Sequence, residues 1–153
     1  MSVEQISRTE QTVEQNKALM KRMFLVAFNE NKLDLLYELC TPDFVCASPL
    51  FPTENGIKDG TGSLKELMGT YRKVHPDMAY TIDEIVAEEN MGAISFTYTG
   101  THTVEDSGIP ATEEKKKVKV KVNGICFAHF TDGKFSRIQF CPYGDTPSVL
   151  SKH

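Results

Sequence analysis

The sequence lacks the features that would embed it in a membrane or mark it for export. It contains no long apolar run, which excludes a transmembrane helix. Its N-terminal segment, MSVEQISRTEQTVEQNK, is polar and lacks the apolar core of a secretory signal. A chain of 153 residues that is 40% hydrophobic and 25% charged is typical of one soluble domain. We therefore expect a cytoplasmic protein with no membrane partner.

An excess of basic residues is also missing. The chain has 17 Lys and Arg against 21 Asp and Glu, a formal net charge of −4, which argues against nucleic acid as a main partner. The one basic cluster is KKKVKVKV, in which Lys117, Lys119 and Lys121 alternate with valines. Two interpretations are open, a strand with a solvated lysine face or a binding patch, and the period of two favours the strand.

Cysteine is scarce and is not arranged for metal binding. The four cysteines, Cys40, Cys46, Cys126 and Cys141, form no CxxC pair and have no zinc-finger spacing with histidine. We expect reduced thiols that pack as small hydrophobes, and no metal site. The chain also lacks the GxSxG, P-loop and dinucleotide-binding fingerprints.

Hydrophobic periodicity predicts helices first and strands afterwards. Residues 13–40 and 63–74 show the spacing of amphipathic helices, and the loop FPTENGIKDGTG lies between them. The strands expected after the second helical segment are MAYTIDEIVAEEN, AISFTYTGTHTV, KVKVKVNGICFAHF and FSRIQFCPY. This order predicts an α+β fold with helices on one face of a curved antiparallel sheet. We expect a flexible lead-in at 1–13, a single domain at 14–147 and a tail at 148–153.

Five short motifs occur in a set order along the chain. They are FNENKLDLLYELCTPDFV, HPD, GTH, IPAT and FTDGKF. Together they resemble the SnoaL-like polyketide cyclase, or ester cyclase, branch of the NTF2-like superfamily, over residues 14–145. The resemblance implies an NTF2-like cone, in which the sheet wraps around the N-terminal helices and holds a small hydrophobic ligand in an apolar pocket. It also implies a homodimer through the outer face of the sheet, and no metal or organic cofactor.

The segment GICFAHFTDGKFSRIQF decides which side chains of the last two strands share a face. Neighbours in a strand alternate, so Cys126 and His129 point to opposite faces and cannot form a nucleophile–base pair without a bulge between them. A two-residue turn at Asp132–Gly133 pairs Cys126 with Gln139, whereas a three-residue loop pairs it with Ile138. We favour the second register because it collects the apolar residues on one face.

The favoured register predicts a pocket and an interface. Residues expected to line the pocket are Phe96, Tyr98, Cys126, Phe130, Ile138 and Phe140. His129, Arg137 and Gln139 share the outer face, whose mixed polar and aromatic character suits a dimer interface. Counted from DGK, the acid/base aspartate and the supporting histidine of the cyclases that this chain resembles correspond to Phe140 and Cys126. The usual aldol route therefore lacks its catalytic pair, because phenylalanine cannot remove a carbon-bound proton.

His102 is the remaining candidate for catalysis. It shares strand parity with Phe96 and Tyr98, which predicts an inward position. Two interpretations are open: a group that orients or protonates a ligand together with Tyr98, or a core histidine bonded to a backbone carbonyl. His75, before Pro76 at a helix end, is interpreted as a cap or turn residue. The function is then either a cofactor-independent cyclisation, isomerisation or hydrolysis, or non-catalytic ligand binding or dimerisation.

Overall fold

The computed structural model describes residues 3–48, 57–103 and 117–143. Within these ranges it describes the side chains from residue 12 onward, with the exception of residues 57–59 and 103. The first helix, α1 (Val3–Lys21), continues as a π-helical segment (Arg22–Phe28). The second, α2 (Leu36–Leu39), follows a 3₁₀ turn (Leu33–Leu35). The third is α3 (Thr61–Val74). The strands are β1 (Cys40–Ala47), β2 (Ile57–Asp59), β3 (Ala79–Ala87), β4 (Met91–Thr103), β5 (Lys117–Thr131) and β6 (Lys134–Tyr143).

The N-terminal helix packs one apolar stripe against the sheet. The stripe consists of Met20, Met23, Phe24, Ala27 and Phe28, all at most 1% exposed, and their spacing is what predicts a helix here. At the end of the π-helical segment, the Asn29 side chain donates to the carbonyl of Tyr80 and accepts from its N–H, at 2.9 and 2.7 Å. These two bonds fix the helix end to β3.

The helix begins earlier than the expected domain boundary. Its backbone is helical from Val3, within the segment expected to be a flexible lead-in. The division into lead-in, domain and tail stays a prediction, and the IPAT motif and the tail at 148–153 lie outside the described residues. Within the described part of the chain, no helix combines the length and apolar character needed to span a bilayer. The cytoplasmic location stays a prediction as well.

The described strands form one curved sheet in the order β2-β1-β6-β5-β4-β3. Neighbouring strands are antiparallel except for β1 and β6, which run parallel. The meander from β3 to β6 is antiparallel, as expected, and the parallel pairing of β1 with β6 adds to it. Most of the chain separates β1 from β6, so no tight turn constrains their relative direction. The helices cover one face of the sheet, which is the α+β cone expected from the sequence.

The hairpin between β5 and β6 differs from the favoured register. Asp132 and Gly133 form a two-residue turn in which both have positive φ, 53° and 76°. This conformation matches the twist of the flanking strands and suits the Asp-Gly sequence. Thr131 pairs with Lys134 directly across the turn. The three-residue loop favoured from the sequence is therefore wrong.

A β-bulge next to this turn resets the register. The pairing skips Ser136 on β6, and beyond the bulge Cys126 pairs with Phe140. Both partners considered for Cys126, Gln139 and Ile138, are therefore wrong. The observed pairing is displaced from the favoured register by two residues, which preserves the alternation of faces. The apolar residues of both strands consequently still share the buried face.

Aromatic rings fill the interior of the cone. The Phe24 ring centroid lies 5.8 Å from that of Phe96 and 6.4 Å from that of Phe140, and the last two are 6.3 Å apart. The residues expected to line a pocket are all buried in this core: Phe96, Tyr98, Cys126, Phe130, Ile138 and Phe140. Their role as a pocket lining stays a prediction.

Candidate functional site

A cleft of about 470 Å³ opens where β4 extends beyond the start of β3. Its lining comes from the end of α3, the turn that follows it, and the adjacent ends of β4 and β5: Lys73, Val74, Pro76, Asp77, Thr101, His102, Lys117 and Lys119. Ala79 pairs with Thr99 at the first residue of β3. Beyond that pair, the Thr101 N–H donates to Oδ1 of Asp77 at 2.8 Å. The carboxylate therefore replaces a strand partner at this edge.

His102 lies on the inward face of β4 and borders the cleft. It pairs with Val118 on β5 and shares its face with Tyr98, which is buried. Its Nδ1 atom is buried and has no hydrogen-bond partner within the described residues. A backbone carbonyl bonded to Nδ1, as in a satisfied core histidine, is therefore not observed there. A histidine that lines a cleft and has an unpaired ring nitrogen is a candidate for proton exchange with a ligand.

His75 is a functional candidate that the sequence interpretation missed. Its backbone does close α3, since its N–H donates to the Tyr71 carbonyl at 2.8 Å. The side chain is fully buried, and its Nδ1 lies 2.7 Å from the Tyr98 hydroxyl. Its ring centroid lies 5.8 Å from that of His102, in an edge-on arrangement. The structure thus gathers His75, Tyr98 and His102 at one end of the cone.

A glycine makes room for this histidine. A Cβ atom added at Gly100 would lie 2.6 Å from Cβ and 2.7 Å from Cγ of His75. Contacts that short require one of the groups to move. Gly100 lies on the face shared by Tyr98 and His102, so the GTH motif supplies both the space and one of the two histidines. A glycine between the inward-facing residues Tyr98 and His102 is the signal in the sequence that another side chain packs against the strand at this point.

Burial controls the protonation of His75 and Tyr98. Desolvation, and then the neighbouring His102, lower the pKa of His75 below its ordinary 6.5, while Asp77 opposes this shift. Desolvation also raises the pKa of Tyr98 above its ordinary value of 10.0. Near neutral pH the His75 imidazole is therefore uncharged, and the Tyr98 hydroxyl keeps its proton. The tautomer of His75 decides which of the two donates the 2.7 Å hydrogen bond.

Cys126 does not act as a nucleophile in this arrangement. It is buried while His129 is exposed, so the two lie on opposite faces of β5. Burial raises the pKa of the Cys126 thiol well above its ordinary 9.0, and burial likewise raises that of Cys46 to about 12. A thiol in such surroundings remains protonated and inert. Within the described residues, no group of three or more His, Cys, Asp or Glu side chains is placed to hold a metal ion.

The comparison with known families identifies a family whose model matches this chain. The sequence profile of the SnoaL-like polyketide cyclases matches residues 18–139, most of the chain. The chain belongs to this family. The fold of this family is one that ligand-binding cyclases and isomerases use. No curated protein is similar enough to count as a match.

Solved structures of SnoaL-like and related proteins superpose on the chain. AclR from Streptomyces galilaeus, proposed to be a hydroxylase, is 25% identical with a TM-score of 0.70, over 92% of this chain and 83% of its own. IdmH from Streptomyces antibioticus, proposed to be a polyketide cyclase, is 19% identical with a TM-score of 0.70, over 89% and 97%. A protein from Kribbella flavida, proposed to be a ketosteroid isomerase, is 18% identical with a TM-score of 0.64, over 92% and 85%. The two with lower identity support the fold alone.

Proposed function

We propose that this SnoaL-like protein binds a small, largely apolar molecule at the cleft and moves a proton on it, using His102 as the acid and base. The observation that carries the proposal is the buried and unpaired Nδ1 of His102 beside an open cleft. Val74 and Pro76 give the cleft an apolar wall for the ligand. The reaction class is an isomerisation or a cyclisation that uses no metal or organic cofactor.

The proton transfer can be written for a carbon next to a carbonyl group. A ring nitrogen of His102 takes the proton, the C–H bond breaks, and its electron pair moves into an enolate. Where a C=C bond is conjugated with the enolate, return of the proton from His102 to the far carbon gives an isomer. Attack of the enolate carbon on a second carbonyl group closes a ring, and the alkoxide that forms takes the proton back from His102. His75 supports this step because, as a neutral imidazole, it adds no positive charge that would oppose protonation of His102.

The site differs from the acid/base pair of the cyclases that the chain resembles. In our proposal the aspartate and histidine of those enzymes are replaced by Phe140 and Cys126. Support comes from their burial in the core and their direct cross-strand pairing. Proton transfer then relies on the cluster of His75, Tyr98 and His102 at the end of the cone.

Deuterium exchange into phenylacetone, followed by proton NMR, tests this function. We expect the protein to accelerate exchange next to the carbonyl, and His102→Gln to reduce the acceleration by about 100-fold or more. His129→Gln is the matched control, because that histidine is exposed on the opposite face. If phenylacetone shifts the resonances of cleft residues but does not exchange faster than in buffer, the protein binds ligands without catalysis. If it does neither, the proposal fails.

A non-catalytic ligand-binding module is the second candidate. The observation that favours it is the aromatic filling of the cone, where Phe24, Phe96 and Phe140 lie within 6.4 Å of one another by ring centroid. Rings packed in this way bring no acid or base to a ligand. This candidate predicts binding at the cleft that His102→Gln leaves unchanged.

We further propose that the protein is a homodimer through the outer face of the sheet. Met91 and Phe127 on this face are 39% and 40% exposed. His129 pairs with Met91 on one side and with Arg137 on the other. Gln139 pairs with Phe127. Exposed apolar side chains among polar ones are typical of such interfaces.

A further inference from the structure

The cleft collects positive charge in a protein that is acidic as a whole. Among the described residues that line it, three are lysines, Lys73, Lys117 and Lys119, and one is a carboxylate, Asp77. The formal net charge of the chain is −4, so this local excess is opposite in sign to the whole. Within the described residues, none of the three lysines forms an ion pair. Their charges therefore remain available to a ligand.

The lysines come from two sides of the cleft. Lys117 and Lys119 are two residues apart on the outer face of β5, so that their Cα atoms are about 7 Å apart. Lys73 belongs to the last turn of α3. Lys119 pairs with Thr101, whose N–H is bonded to Asp77. Thr101 and His102 point to opposite faces of β4, but both line the cleft, which therefore reaches around the edge of β4 beyond the start of β3. A group bound to the lysines would lie across this edge from His102.

We propose that the substrate carries a carboxylate, which Lys73, Lys117 and Lys119 bind at the rim while its carbonyl group reaches His102. The chemical class is a small keto acid with an apolar body. This inference rests on the proposed function, because it assigns the substrate of the same cleft. Long, flexible lysine side chains can converge on one anionic group from both sides of the cleft. Asp77 balances part of the charge and has Oδ1 committed to Thr101.

The spacing of the lysines along β5 provides an internal control. Lys121 continues the same exposed row but does not line the cleft. A general attraction between an anion and the lysine-rich face of the strand would use all members of the row. A built site uses Lys117 and Lys119 and leaves Lys121 aside.

Binding of phenylpyruvate and of its methyl ester, measured by NMR titration, tests the inference. We expect the acid to bind at least 10-fold more tightly than the ester in 20 mM salt. The preference should shrink in 300 mM salt, where charges on an exposed rim are strongly screened. The double variant Lys117→Gln/Lys119→Gln should bind the two compounds equally, Lys73→Gln should reduce the preference, and Lys121→Gln should retain it.

The outcomes separate this inference from the proposed function. Equal binding of acid and ester to the wild type, or an equal loss in Lys121→Gln, would overturn the keto-acid assignment. Exchange of phenylacetone that depends on His102 would still support proton transfer in that case. Conversely, a preference for phenylpyruvate that needs Lys117 and Lys119, without any exchange, supports the assignment and refutes catalysis.

Discussion

The Nδ1 atom of His75 and the hydroxyl of Tyr98 lie 2.7 Å apart, although the residues are 23 positions apart in the chain. His75 follows α3 and Tyr98 lies in the middle of β4, so their hydrogen bond connects the helical layer to the sheet. Both side chains are buried. Water therefore cannot replace either partner without opening the end of the cone.

Removal of the Tyr98 hydroxyl should reveal the strength of this connection. In Tyr98→Phe the ring remains, but Nδ1 of buried His75 loses its partner. Leaving a buried polar group unsatisfied costs about 1–3 kcal/mol. We expect the free energy of unfolding, measured in urea, to fall by that amount. Tyr143→Phe is the control, since Tyr143 is 49% exposed and should change stability by less than about 0.5 kcal/mol. Equal losses would show that the buried hydrogen bond contributes nothing.

The lowered pKa of His75 predicts a loss of stability on mild acidification. Its pKa in the folded protein is below the ordinary 6.5, so protonation favours the unfolded chain. The contribution of His75 is complete above pH 6.5 and decreases as the pH falls toward the lowered value. The pKa of Asp77 lies below its ordinary 3.8, so its contribution is lost only at still lower pH. The loss due to His75 therefore begins near pH 6.5, and the loss due to Asp77 begins near pH 3.8.

Unfolding measured between pH 7.5 and pH 5 in the wild type and in His75→Gln tests this pH dependence. The wild type should lose stability with a slope of up to about 1.4 kcal/mol per pH unit, the limit for one proton. The variant should show a flatter profile because glutamine does not titrate. Parallel profiles would refute the assignment to His75.

Alanine substitutions at Gly100 and Gly69 should change the stability of the protein in opposite directions. Gly100→Ala places a methyl group 2.6 Å from Cβ of His75 and should destabilise the protein by about 1–3 kcal/mol. Gly69 lies within α3, and a methyl group added there would meet no atom within 4 Å beyond its own helix backbone and chain neighbours. Gly69→Ala should therefore stabilise the protein by up to about 1 kcal/mol, since alanine is the better helix former. Thermal unfolding of both variants tests the contrast, which a stabilising Gly100→Ala would contradict.

The sequence was sufficient to predict the fold because its signals are local. Alternation with a period of two marks β3 to β6, and helical spacing marks the stripe from Met20 to Phe28. The bulge at Ser136 interrupts this alternation, so that Phe135 and Ile138, three positions apart, are both buried. The three-residue strand β2 lies in a segment rich in turn residues, and pairing with β1 outweighs that local preference.

The candidate site was only partly predictable for a related reason. Strand parity placed His102 and Tyr98 on the inward side of β4. The direction of the His75 side chain depends on contacts with residues more than twenty positions away, and a histidine before a proline at a helix end is equally suited to a turn. The cleft itself requires the relative placement of α3, β4 and β5, which no single segment encodes.

Phe140 should not tolerate an acidic side chain. Its ring contacts Phe24 and Phe96 in the core. Phe140→Asp would remove this packing and bury an unpaired carboxylate, so the free energy of unfolding should fall by about 3 kcal/mol or more. Gln139→Asp, one residue earlier on the exposed face, is the matched control and should be nearly neutral. Stability equal to that of the wild type would show that position 140 does not face a dry interior.

The outer face of the sheet provides the test of the homodimer. His129 and Arg137 are a direct cross-strand pair on this face, next to exposed Phe127. If this surface is the interface, His129→Ala/Arg137→Ala should lower the mass measured by light scattering at low micromolar concentration toward that of a 17.1 kDa monomer. Glu66→Ala, at an exposed position of α3, should leave the mass unchanged. An unchanged mass in the double variant would exclude this pair from the interface, and a monomeric wild type would refute the dimer altogether.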